Sequence, residues 1–369
     1  MKLHFAKLGT IAAAILCAQS ASAQTSSVQL YGLIDTAVEH LSNTGATGKG
    51  STRMPGLTAS LPSRWGLRGT EDLGGGLKTT FVLESGFSPD TGVLNQGARL
   101  FGRQAFVGVS GAYGTLTAGR HHTMLFWSLF DSDVIGPHAQ SMANFDSYIP
   151  NARADNSISY LGKLNALTVG ATYSLGRDAV NAGPSPAGTN CAGENAADAS
   201  ACREWSAMVK YDAPSWGMAF AIDELRGGAG AYGGLNRSSM KDRRTVLNGY
   251  AKLAGSKIGA GLIRRDNDAV VATPRSDLWY LGASHPLTPQ VTLYAQWVHY
   301  DLKGSANDGD LMIVRGTYAF SKRTAVYASV ARANNKGAAA FAVSTAQVGG
   351  NPLAGTDQTG IALGIRHSF

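Results

Sequence analysis

The chain has 369 residues, 46 of them glycine and 3 cysteine, with 15% charged side chains and a net charge of +7. Beyond the N-terminal leader, no apolar run approaches the roughly 20 residues of a membrane-spanning helix, and no basic block is dense enough to hold a nucleic acid. The length suits two soluble domains or one large barrel.

Lys2 and Lys7 flank the start of an apolar stretch, Leu8–Ala18, and Ala21-Ser22-Ala23 has the small-x-small form of a signal-peptidase site. Residues 1–23 therefore read as a cleaved signal peptide and residues 24–369 as one exported domain. Loss of Lys2 and Lys7 lowers its net charge from +7 to +5. Cys17 follows Leu16 where a lipobox needs a small residue, so lipidation is not expected.

Period-two alternation then runs through the chain. Near its start, Arg64 and Arg68 share one face of a strand and Trp65 and Leu67 the other. If Trp65 and Leu67 meet lipid, both arginines face an aqueous interior. A charge on the lipid face near mid-depth would cost about 2–4 kcal/mol. The glycine-rich Asp72–Gly76 lacks the spacing and the following helix of a phosphate loop and reads as a turn.

The long segment His121–Ala152 holds Asp131, Asp133 and Asp146 together with Met124, Leu125, Phe126, Trp127, Leu129 and Phe130. So many large apolar groups are unusual in a solvated loop. Folded against an inner wall they could pack, with the acids facing a lumen. A loop lying flat on top, or buried at a subunit contact, is the alternative. The His121-His122 pair points its rings to opposite faces of a strand, which is poor metal-ligand geometry. Cys191 and Cys202 fall in the Gly/Ala/Pro/Asn-rich stretch from Gly176 to Arg203. A disulfide between them fits an oxidising compartment, and no histidine lies close enough in sequence to suggest a metal pair.

Further along, Leu167–Leu175, Glu204–Asp212 and Gln290–Asp301 alternate over about ten residues, the length that crosses a bilayer on a tilt rather than the five or six usual in a sandwich. Short turns at Asp72–Gly75, Gly111–Gly114, Gly162–Asn165, Ala213–Trp216, Ala254–Ser256, Pro286–Pro289 and Ser321–Arg323 alternate with eight longer polar segments. That pattern predicts about 16 strands with both termini on the short-turn side, and a water-filled interior. Aromatics near strand ends, such as Tyr31, Trp216, Tyr280, Trp297, Tyr300 and Tyr318, suggest interfacial girdles. The final strand, Gln358–Phe369, sets Ile361, Leu363, Ile365 and Phe369 on one face and ends on an aromatic, as a barrel closing at the membrane edge requires.

Six segments in order carry a family resemblance: Ser27–Asp35 (SVQLYGLID), Ser63–Leu77 (SRWGLRGTEDLGGGL), Gly102–Ser110 (GRQAFVGVS), Gly119-Arg120, Arg153–Tyr160 and the terminal Gly364–Phe369 (GIRHSF). The chain resembles the general diffusion porins of Gram-negative bacteria, above all the β-proteobacterial group found in Burkholderia, Bordetella, Comamonas and Neisseria. The resemblance implies an all-β, 16-stranded antiparallel transmembrane barrel with short periplasmic turns and long extracellular loops. It also implies a homotrimer, set among outer-membrane lipid and lipopolysaccharide, that passes small hydrophilic solutes and ions. The third long loop would fold inward and bring Asp131, Asp133 and Asp146 opposite a ladder of Arg64, Arg68, Arg103, Arg120 and Arg153, with Arg120 able instead to orient the loop at its root. Acids and bases facing each other would set up a transverse field across the constriction.

No catalytic residue, cofactor or metal is expected. A substrate-specific channel is the alternative function, with an outer-membrane barrel enzyme or a soluble β-sandwich further behind. A sugar channel would want an aromatic slide and a phosphate channel a Lys/Arg run in the third loop, where none occurs before Arg153.

Overall fold

A computed structural model describes residues 26–178, 191–346 and 349–369; the signal peptide expected over residues 1–23 lies outside the described residues. The strands are β1 (Ser26–Thr44), β2 (Lys49–Arg53), β3 (Arg64–Gly74), β4 (Leu77–Gly86), β5 (Gln104–Gly111), β6 (Gly114–His122), β7 (Arg153–Leu164), β8 (Leu167–Ser174) and β9 (Glu204–Asp212). They continue as β10 (Trp216–Arg226), β11 (Lys241–Leu253), β12 (Ser256–Asn267), β13 (Arg275–Pro286), β14 (Val291–Leu302), β15 (Gly309–Ala319), β16 (Thr324–Asn335) and β17 (Gln358–Ser368). All except β2 make the wall of a 16-stranded antiparallel barrel, in which β17 returns to pair with β1.

β1 is the longest strand because its two halves have different neighbours. Ser26–Leu33 pairs with β3, Leu33–Leu41 with β17, and Glu39–Thr44 with the short β2 at the rim. The sequence did not reveal β2, which lies within the first long loop, where glycine and threonine break the apolar alternation. Between β2 and β3 the chain dips into the barrel. Asp35 holds it there by accepting hydrogen bonds from Leu61 N at 2.7 Å and from the Ser60 hydroxyl.

Alternation decides which side meets lipid. On β1, Val28, Leu30, Ile34 and Val38 are exposed outward, whereas Leu33, Asp35, Ala37 and Glu39 are buried within. The last strand repeats this, with Ile361, Leu363 and Ile365 outward and Ala362 buried. Tyr211, Trp216, Trp297 and Tyr318 face out, as girdle positions should. Tyr31, Tyr280 and Tyr300 do not: Tyr31 bonds Glu84, Tyr280 is buried against Ser132, and Tyr300 stacks on Phe145. Position near a strand end does not by itself choose a face; parity does.

The barrel closes tightly at its end. Gly32 and Phe369 exchange both backbone hydrogen bonds, at 3.0 and 3.1 Å. A Cβ at Gly32 would lie 2.2 Å from the Phe369 ring, so glycine is needed where the terminal aromatic crosses β1. At the opposite rim Cys191 and Cys202 are joined in a disulfide.

Candidate functional site: an inward loop facing a wall of arginines

The largest buried apolar cluster lies inside the barrel, between the wall and the loop joining β6 to β7. This third long loop begins with a short helix, α1 (Met124–Leu129). Met124, Leu125 and Leu129 are buried, and α1 packs against β9, β10 and β11. Further along, Ile135, Met142, Phe145 and Ile149 are buried in turn. Fully burying such side chains is worth about 1.5–3 kcal/mol each, which offsets part of the cost of ordering an irregular segment.

Polar bonds fix where the loop lies. The Ser132 and Tyr280 hydroxyls are 2.6 Å apart, Gln296 donates to Asp133 at 3.1 Å, and Arg315 donates to Ile135 O at 3.3 Å. Arg244 grips Asp146 with Nε at 2.6 Å and Nη2 at 3.0 Å. Asp131 is ion-paired to Lys210 and Lys257. Gly259 on β12 permits the closest approach, since a Cβ there would sit 1.9 Å from Ser132 O. Every one of these contacts is with β9 or a later strand. The loop is therefore held against one side of the lumen and leaves β3, β4 and β5 facing open space.

That space forms two connected cavities. An inner one of about 680 Å³ is lined, among the described residues, by Arg64, Arg68, Arg103 and Arg153 and by only two carboxylates, Glu84 and Asp133. An outer one of about 320 Å³ is bounded by the first, second, third and last long loops. The two share Pro62, Arg103, Pro137, Ala143, Pro150 and Arg153. Among the described residues, Arg103 and Arg153 are thus the only ionisable groups lining both cavities.

A family model described as Gram-negative porin matches residues 9–338. The chain belongs to that family. It is 30% identical to outer membrane porin protein 32 of Delftia acidovorans, over 98% of this chain and 100% of the relative. An outer membrane porin protein of Bordetella pertussis is 27% identical, over 97% and 99% of the two chains. Among solved structures, an anion-selective porin from Comamonas acidovorans superposes with a TM-score of 0.72 at 25% identity, covering 94% of this chain and 100% of that one. The protein is an outer-membrane porin whose barrel forms a diffusion channel.

Within this porin the arginines differ in their partners. Arg64 and Arg68 face the lumen: Leu33 pairs with Arg64 and Gln29 with Arg68 on the inner face of β1, while Trp65 and Leu67 oppose Gly32 and Leu30 on the outer face. Arg68 binds Gln29 at 2.8 and 3.0 Å and lies 5.0 Å from the Tyr31 ring centroid. Arg103 Nε meets Glu84 at 2.7 Å and Arg64 Nε meets it at 3.5 Å. Arg153 is buried, donates to Pro150 O at 3.3 Å, and has no carboxylate within 4.0 Å among the described residues.

Arg120 departs from the expected ladder and lines neither cavity. On β6 it has the outward parity of Leu116 and Ala118, which pair with lipid-side residues of β5, and a register shift between Gly119 and His121 turns it toward the loop's root. There Nε donates to Gly102 O and Nη1 to Asp155, both at 2.7 Å.

The acids are divided in the same way. Asp133 is half-buried and lines the inner cavity, accepting from Ile135 N and Gly136 N as well as Gln296. Burial pushes its carboxyl above the usual range, and these hydrogen bonds offset that only in part. Asp146 is not presented to the lumen, because it is buried beneath Arg244. Burial pushes its carboxyl up, but the charges of Arg244 and Arg265 outweigh that and hold it below the usual range. Asp131 likewise ends lower, with burial outweighed by Lys210 and then Lys257. Sequence reasoning missed Glu84, Lys210 and Arg244. Parity alone would have turned Glu84 inward, since Phe81 and Leu83 take the other face; its bonds to Arg64 and Arg103 depend on strand register.

Proposed function

We propose that this porin conducts small hydrophilic solutes with a preference for anions, and that its solute path is set by Arg103 and Arg153 with Arg64 and Arg68 behind them. The observation that carries this reading is the junction between the two cavities, where Arg103, paired with Glu84, stands with Arg153, which has no carboxylate within 4.0 Å among the described residues. A ring of one sign in a low-dielectric wall raises the local concentration of the opposite ion. Two of the three loop acids are already paired on the far wall, so the transverse field is weaker and the net field more positive than a balanced arrangement would give. The Comamonas relative, described as anion-selective, supports the same sign.

The functional unit is a homotrimer, with outer-membrane lipid covering the exposed apolar band and lipopolysaccharide its outer half. Incorporation of purified protein into planar bilayers tests both points. Under a potassium chloride gradient we expect a reversal potential of anion-selective sign and conductance rising in groups of three. A cation-selective sign would refute the arginine reading, and single independent steps would refute the trimer.

A further inference from the structure

The lumen exposes one side of a group of aromatic rings, of which Phe126 and Trp127 also pack against the buried apolar cluster. α1 buries Met124, Leu125 and Leu129 against the wall, and its other side turns Phe126 and Trp127 to the inner cavity, joined by Phe130 just beyond. Phe126 and Trp127 meet edge-on, with centroids 5.6 Å apart at 82°. Trp127 and Phe130 are 6.2 Å apart, and Phe130 is 64% exposed. A continuous apolar patch facing water marks a binding surface.

Charge indicates what it binds. The His122 ring stacks on Phe126 with centroids 3.8 Å apart. His122 is also the direct cross-strand partner of Arg153, which puts the two side chains about 5 Å apart at their Cβ atoms. The aromatic surface and the acid-free guanidinium are therefore separated by one imidazole. Arg153 Nε has no hydrogen-bond partner among the described residues, and the cavity of about 680 Å³ lies within the usual range for ligand sites.

We propose that Phe126, Trp127 and Phe130, together with Arg153, form a subsite for small single-ring aromatic carboxylates, which dwell there during passage. The ring lies on Trp127 and Phe126, and the carboxylate accepts paired hydrogen bonds from a guanidinium. Occupancy is brief, because a channel site must release what it binds. This rests on the anion preference proposed above, which is measured separately in potassium chloride alone.

The test is block of chloride current through the full-length porin in planar bilayers by sodium benzoate, compared with sodium cyclohexanecarboxylate and benzyl alcohol. We expect half-block by benzoate at a concentration roughly threefold to tenfold below that of cyclohexanecarboxylate, the range that one aromatic contact gives, and weaker block by benzyl alcohol. In a Phe126→Leu, Trp127→Leu double variant, which leaves Met124, Leu125 and Leu129 in place against the wall, the benzoate advantage should fall to about one. Equal block by the two carboxylates in the wild type, an unchanged ratio in the double variant, or benzyl alcohol blocking as well as benzoate would each overturn the subsite. If potassium chloride alone shows no anion preference, the selectivity reading fails, whatever benzoate does.

Discussion

A guanidinium beside a wet passage acts on solutes only if nothing nearby has neutralised it. Arg153 meets that condition and Arg120 does not, although both flank the third loop. Arg153→Gln should shift the reversal potential toward cations, and Arg103→Gln should shift it less, since Glu84 already compensates Arg103 at 2.7 Å. Paired measurements on the two variants check the order. Arg120→Gln should leave selectivity near the wild-type value, because its charge is spent on Asp155. Asp133 adds a pH dependence. Its carboxyl sits above the ordinary range, so on acidification it takes up a proton before Asp131 and Asp146, and the inner cavity loses one negative charge. Anion preference should therefore rise as pH falls toward the carboxylate range, and Asp133→Asn should remove that rise. At this scale parity made Arg64 and Arg68 legible in the sequence. Arg120 was left open between the ladder and the loop's root, because a register shift is invisible to period-two counting.

The third loop is the element that narrows a wide barrel, by packing inside it. Arg244 is 1% exposed in its side chain and holds both Asp146 and Asp242. Arg244→Ala would leave two buried carboxylates without it and should cost about 3–5 kcal/mol, read as a lower unfolding midpoint in detergent. The Asp146 carboxyl is held below its ordinary value. Its contribution is thus complete above the usual carboxylate range and fades only when pH falls through the lowered value, so the loop should stay anchored in mild acid. Gly259→Leu strikes the same element from the wall, placing a side chain where Ser132 O now lies, and should change single-channel conductance while the barrel still forms. The loop's inward fold was suggested by its apolar content, and all the short turns and long loops were readable from glycine, proline and polar clusters. Which wall the loop would choose was not readable. That choice rests on partners such as Lys210, Arg244 and Gln296, scattered over strands far away in sequence.

For the whole molecule, one repeating pattern separates lipid from water around all 16 strands. Leu363 lies 61% exposed on the outer face of β17, and Leu363→Arg there should cost about 2–4 kcal/mol if it sits near the bilayer midplane, measurable as reduced folding into lipid vesicles. The strand count and the lipid face followed from alternation and loop lengths alone. Closure depends on β17 meeting β1, a contact between the two ends of the chain.

The central claim is that solutes squeeze past Arg153 between the wall and the loop. Arg153→Cys gives a direct test, since the two other cysteines of the exported chain, Cys191 and Cys202, are joined. Adding an anionic methanethiosulfonate reagent to open channels of this variant should lower the current in discrete, irreversible steps and reduce the anion preference further. Complete labelling with no change in current would mean that the ion path runs elsewhere.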